Sequence, residues 1–237
     1  MTIDLGNFFE FYKGTPNQSA AIKLLAEAMP ESLLQDDAKW VVKYREPEPT
    51  PPPVPGIITP ELMHELTGYS AASFGQEFCD DFNAMLSATG FDKHIDATQM
   101  LVANLMHESC NFIYMKEIDP GYYLEGRTDL GNTQPGDGPR FRGCGPLQVT
   151  GRGHAESFRK WLRENKGIDE PRITSIGTDW TADHYAFQIA ISWIQGNGLL
   201  NVCLNKGFEA CCVRINGGYN GYDDRCAKYE ICKRVIK

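Results

Sequence analysis

No run of about 18 apolar residues occurs anywhere in the chain, so no segment reads as a membrane-spanning helix and membrane insertion is not expected. The opening residues, Met1 to Gly14, lack the basic-then-apolar order of a secretory signal, so the chain is read as carrying no signal peptide. Positive charge is in short supply: 23 Lys and Arg face 31 Asp and Glu, a formal net charge of −8. That balance argues against a protein that grips phosphate backbones through bulk charge, and nucleic acid is not an expected partner, although a local basic patch is compatible with it. Several catalytic signatures are also missing. His107-Glu108 is not followed by the second histidine of a zincin helix, there is no Gly-x-Ser-x-Gly elbow, and no phosphate-cradling Gly-x-x-x-x-Gly-Lys loop occurs.

Cysteine is present but thin. The eight thiols are scattered, and neither Cys211-Cys212 nor Cys226-x5-Cys232 matches a zinc-site spacing. Reduced, mostly buried thiols are expected, with no metal and no cofactor. Cys110 three residues from His107 suggests a thiol nucleophile and base, but such neighbours at the edge of a helical core are more often packing partners.

Proline marks the organisation. Residues 47–55 hold six of the fourteen prolines, a stretch that favours extended polyproline II geometry. At about 3.1 Å per residue it spans roughly 28 Å. The chain therefore divides into a small helical module over residues 1–46, a linker over 47–57, and a main domain over 58–237. In the module, Ile22, Leu25, Met29 and Leu33 recur at helical spacing, but it buries too little surface alone and is expected to dock or tether.

Beyond the linker, helical signals dominate. Thr59-Pro60-Glu61 is a helix start. Asp96 with Gln99 resembles a capping box opening a helix over Ala97–Phe112. Asp183 opens another through Trp193, stopped by Gly196-Asn197-Gly198, and Phe208, Cys211, Cys212 and Ile215 recur on one face. Between them, Gly121 to Gly145 contains seven glycines and is read as a long irregular segment, non-helical, with Tyr122, Tyr123, Arg140 and Arg142 suited to lining a polar cleft.

Leu101, Leu105, Glu108 and Phe112 follow at spacings of four, three and four, which puts a carboxylate on an apolar helix face. Such a group must pair with a cation or take up a proton more readily than usual, and the second is what a general acid needs. Nine residues on stands Glu117, before the turn Asp119-Pro120-Gly121, and a chain reversal can set it across a cleft from Glu108. Two carboxylates serve glycoside hydrolysis, one donating a proton to the leaving oxygen and the other attacking or orienting water; separations of roughly 6.5–9.5 Å go with inversion.

Four segments together resemble glycoside hydrolase family 19, the chitinase-like fold of plant and bacterial chitinases and many bacteriophage endolysins. They are His107-Glu108-Ser109; the run Phe141 to Arg152; the helix with Trp193 before Gly198-Leu199; and Ile215 to Gly221 followed by Asp224-Arg225. The resemblance covers nearly all of residues 96–237. It implies a mainly α, lysozyme-like two-lobed domain that cleaves β-1,4 bonds between N-acetylated amino sugars with inversion.

Residue by residue, the resemblance implies that Glu108 is the general acid, Glu117 the base in the phage-type position, and Thr150 a residue that helps hold the water. Gln148 and Asn216 match sugar-amide contacts, Arg225 an arginine paired with the acids, and Tyr122 and Tyr123 candidates for stacking on sugar faces. Gly153-His154 replaces the family's aromatic-asparagine pair, making His154 a candidate subsite residue, and Cys144 stands where arginine is common. The expected partner is bacterial peptidoglycan, with chitin, or binding without catalysis, as alternatives. The enzyme is expected in the host bacterial cytoplasm before release to the wall, or on a virion, with residues 1–46 as the tether.

Overall fold

Thr59 opens the first helix, α1 (Pro60–Thr67), by accepting the Leu62 N–H on its hydroxyl at 3.1 Å, and Pro60 occupies the first turn, where a missing N–H costs nothing. The computed structural model describes residues 56–237. The helical module expected over residues 1–46 and all but the end of the 47–57 linker lie outside the described residues.

Helix follows helix: α2 (Gln76–Thr89), α3 (Ile95–Glu108), α4 (Asp137–Arg140), α5 (Arg152–Lys166), α6 (Arg172–Ser175), α7 (Thr178–Gly196), α8 (Leu199–Asn216) and α9 (Tyr222–Val235). Among the described residues the only extended pairing is two isolated antiparallel bridges, Lys116 with Cys144 and Cys144 with Val149. The domain is thus mainly α, consistent with the lysozyme-like architecture expected. None of the described helices is long and apolar enough to cross a membrane.

Helix α3 is apolar nearly all round, with Leu101, Val102, Ala103, Leu105 and Met106 buried, and a helix of that kind must be enclosed. Helices α9 and α8 enclose it, and α1 packs on α9. A second group forms where α2 and α5 pack on α7, with α6 against α5. The two groups share one hydrophobic core, and α7 of the second packs on α8 of the first.

Four departures from the sequence reading bear on the site. Asp96 does not cap α3: the helix starts two residues earlier than expected, at Ile95, His94 is its N-terminal flank and offers no side-chain cap, and Gln99 instead donates to the Ile236 carbonyl at 2.9 Å. A 3-10 turn at Phe91–Lys93, anchored by the buried Phe91 ring and the Thr98 hydroxyl on its carbonyl, runs straight into the helix and displaces the capping box. The expected Asp183 start is five residues late, because α7 begins at Thr178 and breaks its helical geometry at Tyr185. The glycine-rich segment is not wholly irregular either: it holds two 3-10 turns, Tyr122–Leu124 and Thr128–Leu130, and the one-turn helix α4.

The expected helix over Ala97–Phe112 stops at Glu108. Cys110, Asn111 and Phe112 then take φ of 49°, 59° and 66°, three successive left-handed residues without a glycine among them. Each such residue costs about 1–2 kcal/mol. The turn persists because its ends are over-determined. Buried Ser109 donates to the Leu105 carbonyl at 2.6 Å and accepts the Phe112 N–H at 2.9 Å, while Phe112 inserts between Phe78 and Phe82, centroids 6.0 and 5.3 Å away. Ser109→Ala leaves a buried N–H without its acceptor and is expected to destabilise the domain by about 1–3 kcal/mol, read as a lower urea midpoint at unchanged slope.

Candidate active site

Glu108 sits at the last turn of α3, its side chain 18% exposed, and meets a cation: Arg225 Nη2 donates to Glu108 Oε1 at 2.5 Å. Arg225 comes from α9 and is itself only 1% exposed, held by donating Nη1 to Asn104 Oδ1 at 2.8 Å and Nε to the Asn220 carbonyl at 3.4 Å. Asn216, the last residue of α8, donates to the same Asn220 carbonyl at 3.2 Å. Glu108, Arg225 and Asn216 therefore form one set through Asn220. Arg225, which the resemblance pairs with the acids, bonds to Glu108, and each of its three guanidinium nitrogens donates to a protein oxygen.

His107 fastens this set from the side, its Nδ1 lying 2.6 Å from Asp224 Oδ2. Burial opposes ionisation of Asp224, but the His107 and Lys228 hydrogen bonds outweigh it and hold the carboxyl below its ordinary range. A Cβ at Gly221 would stand 2.2 Å from the His107 ring, so only glycine lets the Asn216–Gly221 loop close over it. This disposes of the thiol reading: Cys110 meets His107 through the backbone alone, while the imidazole is turned to Asp224.

Glu117 lies beyond the left-handed turn and has its own donors. Tyr123 Oη donates to Oε1 at 2.5 Å and the Gly143 N–H to Oε2 at 2.7 Å. The Glu117 N–H in turn donates to the Gly143 carbonyl at 3.0 Å. A Cβ at Gly143 would come 2.4 Å from Gln148 Oε1 and 3.2 Å from the Glu117 Cβ, so a side chain there would have to displace the Gln148 amide. Arg142 and Lys116, both on Asp179 at 2.6 and 3.2 Å, tie the segment to the start of α7. Although Tyr123 is 61% exposed, desolvation of its hydroxyl end and the bond to Glu117 push the phenol up to about 12, so it remains a donor throughout the neutral range.

Gln148, Thr150 and His154 continue this second set. Gln148 donates Nε2 to the Tyr114 and Gly145 carbonyls at 3.1 and 3.0 Å, which fixes its amide with the oxygen toward Gly143 and Glu117. Thr150 donates to the Gln148 carbonyl at 2.9 Å, and His154 Nδ1 lies 2.8 Å from the Thr150 carbonyl. A cavity of about 210 Å3 opens beside His154, walled by Val149, Phe158 and Trp193. Tyr122, 74% exposed, shares the 3-10 turn of Tyr123 and bonds to no other candidate; both rings face solvent and neither belongs to the core.

No hydrogen bond or ion pair among the described residues joins the Glu108 set to the Glu117 set; the strained segment 109–116 is their covalent link. Sequence reasoning missed Asn104, Tyr123 as partner of Glu117, and the His107 to Asp224 clasp. Asn104 carried a signal, being a polar residue four before Glu108 on the same face of an apolar helix. Among the described residues no three His, Cys, Asp or Glu side chains gather as a metal ion would require. The eight cysteines are free thiols, and burial pushes Cys144, in the centre of the Gly143 loop, up to about 12, which leaves it unreactive.

Comparison with known proteins supports a glycan-cleaving class. Over 104 residues the chain is 34% identical to a glycosyl hydrolase family 19 domain-containing protein of Haemophilus influenzae, a match covering 44% of this chain and 46% of that protein. The match thus takes in less than half the length of the relative. No family model matches the chain.

Proposed function

We propose that the chain is a glycoside hydrolase of the family 19 kind that cuts β-1,4 bonds in the glycan strands of bacterial peptidoglycan, with inversion. The observation that carries the reading is the pair of carboxylates on either side of one chain reversal, each held by its own donors. Similarity to a family 19 domain-containing protein supports the hydrolase class. The spacing from Glu108 to Glu117 is the basis for a phage-type lysin rather than a chitinase.

In this mechanism Arg225 pairs with the Glu108 carboxylate through Oε1, and Oε2 takes up a proton as the glycan binds over it. As the bond from the anomeric carbon to the leaving oxygen breaks, that oxygen takes the Glu108 proton. Glu117 keeps a lone pair on each oxygen beyond those used by Tyr123 and Gly143, enough to orient a water and accept its proton as the water attacks from the opposite face. Thr150 supplies a hydroxyl that steadies the water. Gln148 and Asn216 offer amide groups to the acetamido substituents, and Tyr122 and Tyr123 present exposed rings to sugar faces, with His154 at the edge of a subsite. Solvent exchange then returns the proton from Glu117 to Glu108.

The proposed setting is the host bacterial cytoplasm before release to the wall, or a virion, with residues 1–46 as the wall or particle tether. Digestion of purified sacculi followed by mass spectrometry tests the reading. New reducing ends on an N-acetylated amino sugar are expected, at rates above those on soluble chito-oligosaccharides. Products cut only in the peptide stems, or no new reducing ends at any enzyme concentration, would sink it.

A further inference from the structure

Helix α5 carries Arg152, Arg159 and Arg163 at i, i+7 and i+11, which puts three guanidiniums on one helix face over about 17 Å of axis. With Lys160 and with Arg140 from α4, these line an open groove of about 560 Å3 whose only carboxylate is Glu156. Five cations on one wall stand out in a chain of net charge −8. Three of them have carboxylate partners. Arg152 is paired with buried Asp137 at 2.5 Å, Arg159 is forked on Asp169 at 2.8 and 3.1 Å, and Lys160 lies 3.9 Å from Glu164. Arg140 and Arg163 make no side-chain hydrogen bond or ion pair among the described residues. The groove shares no residue with either carboxylate set.

We propose that this groove binds a linear phosphate-bearing polymer, with Arg140 and Arg163 as its primary contacts and the Ser175 hydroxyl as a further donor. Four of the five cations are arginine, whose planar fork matches phosphate oxygens two at a time. The stripe is long enough to meet several charges of an extended chain and too open to enclose one small anion. Two other polyanionic partners fit less well. A membrane surface site needs apolar side chains beside its cations, and a groove for single-stranded nucleic acid needs aromatic rings for base stacking. The lining of Gln134, Glu156, Thr174, Ser175 and the five cations has neither.

The test uses the full chain and end-labelled inorganic polyphosphate, with affinity measured across a salt series. Wild type is expected to bind. The double variant Arg140→Gln/Arg163→Gln should weaken binding about tenfold or more at low salt and flatten the log–log salt slope by about two. Lys233→Gln/Lys237→Gln, which removes equal charge from the end of α9, should bind as wild type does, and matching thermal melts for the variants exclude unfolding. The proposal is overturned if the first double variant binds unchanged, or if polyglutamate of matched length binds as tightly as polyphosphate. It is equally overturned if single-stranded DNA binds tighter than polyphosphate, or if only vesicles of anionic phospholipid bind.

Discussion

Glu108→Gln is expected to lower the rate of turbidity loss from purified sacculi by about 10²–10⁴-fold while sedimentation with sacculi is retained. The substitution keeps shape and one acceptor oxygen, so Arg225 Nη2 retains a partner where it now donates to Glu108 Oε1 at 2.5 Å. What disappears is the ability to hand a proton to the leaving oxygen. It also leaves a cation that is 1% exposed without its counter-charge. Breaking a fully buried pair costs about 3–5 kcal/mol, and the partial exposure of Glu108 places the cost at or below the lower end. Activity is therefore compared well below the variant's own melting temperature, where both proteins are folded. Lysis at the wild-type rate by folded variant would remove Glu108 from the mechanism.

Much of the architecture could be read from periodicity because it is local. The Thr59-Pro60 start of α1 and the Gly198 break between α7 and α8 depend on a few adjacent residues, and each lies where those residues place it. The apolar face of α3 was equally visible, and a carboxylate on it had to find a cation, which Arg225 supplies from 117 residues away. Periodicity reports burial rather than conformation, however. Phe112 fits the helical repeat of Leu101, Leu105 and Glu108 and is indeed buried, yet it reaches the core through a left-handed turn. Nothing in a single sequence distinguishes those two routes, because the strain of residues 110–112 is compensated by Phe78 and Phe82 on another helix. The capping box at Asp96 failed for a related reason: the buried Phe91 ring sets where α3 begins.

The Glu117 side was less legible, because its order comes from contacts between loop segments. Tyr123 was recognisable as a ring suited to a sugar, but its bond to Glu117 requires the 3-10 turn at Tyr122–Leu124 to lie against the segment bridged at Lys116 and Cys144. Glycine content marked this region as irregular without revealing the polar framework inside it. Glu125 accepts the Gly136 and Gly138 N–H groups at 2.7 and 2.8 Å, and buried Asp137 accepts from Thr133 and Gln134 at 3.0 and 2.9 Å. These carboxylates do for the loop what ladder hydrogen bonds do for a sheet, pairing backbone donors that have no partner in a regular element.

Asp137→Asn should therefore destabilise the domain by about 3 kcal/mol and disturb the glycine-rich segment that carries the partners of Glu117. Asp137 is 0% exposed, and its carboxylate takes Arg152 Nη2 on Oδ1 at 2.5 Å and Nε on Oδ2 at 2.8 Å in addition to the two backbone donors. An amide can accept on one side only, so Arg152 loses half its fork and keeps only the more distant Glu156, 3.5 Å from its Nη1, as a carboxylate partner. The Arg152 hydrogen bonds, opposed by desolvation and helped by the Gln134 and Thr133 N–H groups, hold the Asp137 carboxyl below its ordinary value. A folded-state value below the unfolded one means that this stabilisation is fully present above about pH 4, the ordinary aspartate value, and is lost as pH falls through the depressed one. Wild type should consequently lose stability as pH falls below about 4 more steeply than Asp137→Asn, whose urea midpoint has no such contribution left to lose. Parallel acid profiles for the two proteins would show that the Arg152 pair does not organise the loop.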